Sequence, residues 1–284
     1  MAPAGDERLY EGLARYQWLL RRLRRAPPGV DLEMHKRLAA PAPGQPGPLP
    51  GDAWHDWVWR QLELGEAPRV VDLGCGFGAS VLRWARAHRG TFVGLGNSSY
   101  QLARARGEAE RLGLSARCSF RPNAHGTTIE GSFDGVVAVE TLVHATDLTG
   151  ALVAVAACMA PGGRFVSMED VARDADVGSS PHARQLAAAW ALGSLWSTDD
   201  WDRAARAAGL RVVRSIDLTD QVIVRPEATL ARSERRLRRL RRLLPGRHAR
   251  SALDAFLGGI AMERLYRDGM LAYRCAVLER RDDA

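Results

Sequence analysis

Val70-Val71-Asp72-Leu73-Gly74-Cys75-Gly76-Phe77-Gly78 is a short apolar run broken by three alternate glycines. An apolar stretch of this length bounded by glycine reads as a buried strand, and the turn opens a helix from Ala79. Glycine supplies positive φ and lets a ligand approach the backbone closely. In open α/β sheets, ligands bind outside the carboxyl ends of the strands, near the point where strand order reverses. A dinucleotide fingerprint fits poorly, because its last glycine would fall on Ala79.

Outward from this turn, short apolar strands alternate with helical stretches. Strands are expected at Arg69–Leu73, Thr91–Leu95, Arg117–Arg121, Phe133–Val139, Gly163–Glu169, Arg211–Leu218 and Met270–Leu278. Helices are expected at Ala79–Ala87, Ser99–Leu112, Leu148–Met159, Pro181–Leu192 and Thr198–Ala208. The alternation implies a mostly parallel sheet of seven strands covered on both faces, an α/β fold. Between the last two strands, residues 225–269 form a long insertion. Leu230, Leu237, Leu240 and Leu243 line one side of its first helix, and Pro245-Gly246 stops it. A second helix follows with Ser251 as N-cap and Gly269 as C-cap. Such an insertion would lie beside the ligand edge, as a surface helix or substrate lid.

Upstream, residues 1–66 read as a helical cap on a core of residues 67–284. The cap consists of a helix over Arg8–Arg25, a Pro/Gly-rich loop over Ala39–Gly51 and a helix over Ala53–Leu64. It holds too little apolar material to stand alone.

The chain has 284 residues, 46% of them hydrophobic and 26% charged, which suits a soluble globular protein. Nothing approaches a membrane span or a secretory signal. Cys75, Cys118, Cys158 and Cys275 are scattered and without metal-ligand spacing, so no metal centre is expected; free thiols and a cytoplasmic location are. The net charge of +7 comes largely from nine arginines between Arg232 and Arg250. With no RNA-binding motif beside them, nucleic acid is not an expected partner. A small-molecule substrate is, and a homo-oligomer is compatible with everything read.

The pattern Asp72-Leu73-Gly74-Cys75-Gly76-Phe77-Gly78 resembles motif I of the class I S-adenosylmethionine-dependent methyltransferases. The resemblance implies the Rossmann-like methyltransferase sheet and S-adenosylmethionine as cofactor. Asp72, Gly74, Cys75, Gly76 and Gly78 would then form the cofactor turn. Asn97 and Ser98, with Gln101, stand where most members place a ribose-binding carboxylate, and also read as a turn with an N-cap. Such a polar, uncharged set looks like the sterol, tocopherol and cyclopropane-forming branch. Asn123, followed by Ala124, stands where an Asp usually accepts from the adenine amino group; it keeps an acceptor and gives up the charge. Pro161-Gly162-Gly163 is similar to the family's turn before the fifth strand.

Methyl transfer to a hydroxyl or amine profits from a general base, whereas transfer to an alkene creates a cation that needs an anionic or aromatic neighbour and then a base. Glu140, leaving the fourth strand, would face the methyl group. His144, four residues on, would share its face if the turn is helical, giving a base and a relay. The bland readings are a cofactor-binding Glu140 and a turn-capping His144. Tyr10, Tyr16, Trp18, Trp190 and Trp196 are candidate walls for a hydrocarbon acceptor, with core packing the competing reading of each. Ile216-Asp217-Leu218-Thr219 and Gly259–Gly269 are similar to the matching parts of geranyl diphosphate C-methyltransferases, in which Glu140 aligns with the catalytic glutamate. That resemblance covers roughly residues 66–280 and implies C-methylation of an isoprenoid or prenyl diphosphate. An indole-type aromatic acceptor is the alternative, and an RNA-binding methyltransferase the remote one. Mg2+ enters only with a diphosphate acceptor. Arg8, Arg15, Lys36 and Arg37 are available to bind a diphosphate, although such residues more commonly lie on the solvated surface.

Overall fold

The computed structural model describes residues 54–123, 128–243 and 246–281, together with Lys36, Leu38, Ala39 and Gly47. The expected helix over Arg8–Arg25, with Tyr10, Tyr16 and Trp18, lies outside the described residues, as does Ala124.

Strands β1 (Arg69–Leu73), β2 (Thr91–Gly96), β3 (Cys118–Pro122), β4 (Phe133–Val139), β5 (Met159–Ala172), β6 (Leu210–Asp217) and β7 (Leu271–Arg280) form one sheet in the order β3-β2-β1-β4-β5-β7-β6. The pairs among β1 to β5 are parallel, and β7 runs antiparallel to both β5 and β6. This is the mostly parallel seven-stranded sheet expected from the sequence, with its switch point between β1 and β4.

Period-two alternation sends successive strand residues to opposite faces. Val70, Phe92, Val137 and Val166 enter one core layer with helices α1 (Trp54–Leu62), α2 (Ala79–Ala87) and α3 (Ser99–Arg111). Val71, Val93, Val136 and Phe165 enter the other, against α4 (Leu148–Cys158) and α6 (Thr198–Ala207). Each fully buried side chain of this size stabilises the fold by about 1.5–3 kcal/mol relative to exposure. Helix α5 (Pro181–Trp190) lies on the α1 side, with Ala183 and Leu186 in its layer. Caps set several starts: Asp147 accepts from Gly150 N–H ahead of α4, and Ser197 with Asp200 closes a capping box on α6.

The expected β5 was too short. It extends through Ala172 because β7 pairs with it as far as Ala172↔Leu271. The Pro161-Gly162-Gly163 turn is a bulge inside it, where pairing passes from Phe133↔Met159 to Gly135↔Arg164. The insertion forms helices α7 (Glu227–Leu243) and α8 (Arg247–Arg267). Ser251 is not the cap of α8, which starts directly after Gly246, a glycine at φ +101 that sets the entry to the helix. Gly269 follows its end at φ +69, and Met270 N–H bonds back to Leu265 O. Of the four leucines expected along α7, only Leu230 is buried, and Leu243 is 77% exposed. Ion pairs hold α7 to α8 instead: Arg264 to Glu227 and Glu234, and Arg241 to Asp254. Among the described residues no helix is long and apolar enough to cross a membrane, and the four cysteines are buried and unpaired.

Candidate active site

The glycine turn follows β1 directly. Gly74, Gly76 and Gly78 all have positive φ. At Gly74 a Cβ would lie 2.1 Å from Thr141 Oγ1, and at Gly78 one would lie 2.5 Å from the Phe120 ring, so both are required by close packing. Around Gly76 a Cβ would meet nothing within 4 Å; this glycine faces open space. A cleft of about 390 Å³, including its open mouth, lies beside the turn and is lined by Leu73, Gly74, Leu95, Gly96, Asn123 and Leu142.

Asp72 is buried and bonded to Ser80 of α2, whose hydroxyl lies 3.0 Å from His55 Nδ1 of α1. Burial pushes the Asp72 carboxyl up to about 7, against the bond from Ser80. Within the turn, the Cys75 N–H is bonded to Leu95 O and its thiol packs under Gly94. Ser98 caps α3, accepting from Gln101 N–H at 3.3 Å, and both side chains are buried. Asn97 leaves its amide Nδ2 buried with no hydrogen-bond partner among the described residues, at the end of β2. Asn123 is anchored by its N–H to Gly96 O, and its amide donates to Thr128 O at 3.2 Å. An open cradle at Gly76 and an unspent donor at Asn97 suit a nucleoside cofactor laid across β1, β2 and β3.

Glu140 follows β4 in the left-handed region, at φ +51, with its N–H bonded to Met168 O at 2.8 Å. Residues Leu142–His144 form a 3₁₀ turn, so the α-helical face expected to join His144 to Glu140 is not formed. Glu140 is bonded instead to Lys36 Nζ (2.9 Å) and Tyr273 Oη (3.1 Å). Lys36 also binds Asp170 Oδ2 at 2.8 Å and stands 4.3 Å from the Tyr273 ring centroid. Tyr266 from the end of α8 donates its hydroxyl to the other Asp170 oxygen. The side chains of Lys36, Glu140 and Asp170 are only 7–11% exposed.

A surface or diphosphate-binding role for Lys36 is therefore corrected: it is the buried centre of an ion-pair cluster. A bridge between Leu38 and Val222, and the bond from Ala39 N–H to Gln221 O, tether its segment beside β7. Burial acts to lower its pKa, but Asp170 and Glu140 outweigh this and hold the ammonium charged. Burial raises the Asp170 carboxyl, with Lys36 opposing the shift. Next to it, Glu169 is pushed up to about 8 by burial, although Oε1 accepts from the N–H groups of Leu142 (2.9 Å) and Thr141 (3.1 Å).

Of the expected acceptor walls, Trp190 is seated against Gly258 and donates to Ala255 O at 2.8 Å, packing α5 on α8. Trp196 is half-buried on the opposite core layer, beside the Ala172↔Ser197 bridge. Sequence reasoning missed Glu169, Asp170, Tyr266 and Tyr273. Met168-Glu169-Asp170, two acids in an apolar strand near the ligand edge, was the available signal; Tyr266 lies within the Gly259–Gly269 resemblance, and Tyr273 carries no signal.

The sequence matches the methyltransferase domain family over residues 36–215. The sterol 24-C-methyltransferase of Aspergillus fumigatus is 32% identical over 181 residues, covering 61% of this chain and 46% of its own. The chain thus spans under half the length of this and similar curated relatives. Among solved structures, the 4+2 cyclase SpnF superposes with a TM-score of 0.70 at 20% identity, over 97% of this chain and 96% of that one. Geranyl diphosphate C-methyltransferase from Streptomyces coelicolor A3(2), solved with Mg2+, a substrate analogue and S-adenosyl-L-homocysteine, gives 0.68 at 19% identity, over 98% and 100%. At such identities these two structures carry the fold alone.

Proposed function

The chain belongs to the methyltransferase domain family, on the class I S-adenosylmethionine-dependent fold, and from that premise we propose that it C-methylates an electron-rich C=C bond of a small isoprenoid-type molecule. The observation that carries this reading is the charge cluster beside the cofactor turn. Two buried carboxylates and the face of Tyr273 surround a positive charge there, that of Lys36. Alkylating an alkene creates a cation on the acceptor, and a site that already favours a cation stabilises that stage of the reaction.

Bound S-adenosylmethionine supplies an electrophilic methyl group. The turn Gly74–Gly78, with Asn97, Ser98, Gln101 and Asn123, would hold it. Glu140, tied to β5 by its backbone and to Tyr273 by its carboxylate, faces the acceptor and removes the final proton. His144 lies in the same turn and takes the lesser role of orienting it. Support for carbon as the methylated atom comes from relatives named as a sterol 24-C-methyltransferase and a geranyl diphosphate C-methyltransferase. A diphosphate acceptor would bring Mg2+, as in the latter structure.

The test is mass spectrometry of products formed from S-adenosylmethionine with prenyl diphosphates and isoprenoid alkenes, and separately with indoles. Glu140→Gln should keep cofactor affinity and slow single turnover by about 10²–10³-fold, the usual loss of one placed electrostatic partner. His144→Ala should cost less. Normal Glu140→Gln turnover at saturating cofactor would exclude the role, and methylated indole alone would replace the isoprenoid by an aromatic acceptor.

A further inference from the structure

Glu169 is almost wholly buried in β5, three residues before its end, between Met168, whose carbonyl accepts from Glu140 N–H, and Asp170. Its Oε1 receives the two N–H groups that directly follow Glu140, those of Thr141 and Leu142. Its Oε2 is buried with no hydrogen-bond partner among the described residues. The turn it grips contains a non-glycine residue at φ +51, a conformation that persists only where the surroundings enforce it.

We propose that Glu169 is a positioning residue that works as a neutral acid: its carbonyl oxygen clamps Thr141 and Leu142 and so fixes the Glu140 carboxylate against Tyr273 and Lys36. The positioning role rests on Glu140 acting in the reaction, whereas the clamp rests on the two hydrogen bonds. Neutrality follows from the surroundings. Glu140 on the turn and Asp170 on β5 both oppose a third negative charge, Lys36 is committed to those two, and the Tyr266 and Tyr273 hydroxyls serve them as well. Burial is the largest cause of the raised pKa, about 8, and it outweighs the two N–H bonds from Leu142 and Thr141, which favour the charged form. A carboxylate in this place would leave its charge uncompensated.

The full chain is assayed as wild type, Glu169→Gln, Glu169→Ala and Glu140→Gln, reading single turnover at saturating S-adenosylmethionine and exchange protection of the Thr141 and Leu142 amides. The glutamine carbonyl can make both bonds, so Glu169→Gln should keep protection and, at pH 7, turnover within about threefold of wild type. Glu169→Ala should lose the protection and slow turnover by up to about 100-fold, as small misplacements of a reacting group do. Glu169→Gln as slow as Glu169→Ala would overturn the neutral-acid claim, and fast Glu169→Ala would overturn positioning. Should Glu169→Ala not fold, the carboxyl carbon-13 resonance missing from Glu169→Gln decides the neutral-acid claim: a protonated shift at pH 7 upholds it, and an ionised one at pH 7 overturns it. Normal turnover in Glu140→Gln sinks the functional reading while the amide protection still reports on the clamp.

Discussion

Gly74 and Gly76 share a positive φ and differ in what lies around them, which separates a packing requirement from a ligand requirement. A methyl group at Gly74 would collide with Thr141, whose hydroxyl bonds Leu73 O. Gly74→Ala should therefore destabilise the fold by about 1–3 kcal/mol in urea melts, through strain and a displaced Thr141. Gly76→Arg carries the strain of a positive φ but meets no protein atom near its Cβ, so it should still fold and should abolish S-adenosylmethionine binding in a calorimetric titration. Both glycines were legible in the sequence, because a spaced glycine motif is local. The charge on Lys36 was legible too, but its burial was not; nothing in a His-Lys-Arg triplet shows that the lysine will meet two carboxylates. Lys36→Met should lower stability by about 3 kcal/mol at neutral pH, the usual cost of leaving buried charges unpaired. Without the ammonium, Asp170 is free to take a proton, so that loss should shrink as pH falls toward 4. A pH-independent loss would show that Lys36 contributes by packing alone.

The glycine turn and all seven strands could be placed from apolar runs and punctuation. Bounds that depend on a distant partner could not: β5 gains its last residues from pairing with β7, which no local pattern encodes. The same holds for the site, where Asp170, Tyr266 and Tyr273 arrive from β5, α8 and β7. Helix α7 shows a subtler failure. Its leucine spacing is amphipathic, yet its attachment is largely ionic, with Arg264 bridging Glu227 and Glu234. Arg264→Leu should raise hydrogen exchange throughout α7 while costing only about 1 kcal/mol in global stability, since the pairs are partly solvated. The outward arginines should not hold RNA: in filter binding at about 0.15 M salt, no tight complex dependent on Arg235 and Arg242 is expected, and such a complex would refute the reading of α7 as a surface helix.

Among the described residues of the whole molecule, burial raises three carboxyls: Asp72 to about 7, Glu169 to about 8, and Asp170, where Lys36 opposes the shift. An acid whose folded pKa lies above its unfolded value holds its proton better when folded. Its contribution is complete below the unfolded pKa near 4 and is lost as pH rises through the folded one. Thermal melts of the ligand-free protein should thus fall between about pH 5 and pH 8, by at most about 1.4 kcal/mol per pH unit for each group. Asp72→Asn and Glu169→Gln should each flatten the slope, and a melting temperature that rises over that interval would contradict both assignments. The strand order carries a separate consequence for how the molecule is made. Because β7 lies between β5 and β6, β6 leaves the ribosome before its neighbour in the sheet exists, while β5 waits with an open edge. The last strand must then slide into a gap that the nascent chain has kept clear, and it delivers Tyr273 as it does so. Stalled or truncated translation products will expose two unpaired strand edges at once, which makes them natural clients for chaperones that shield such edges.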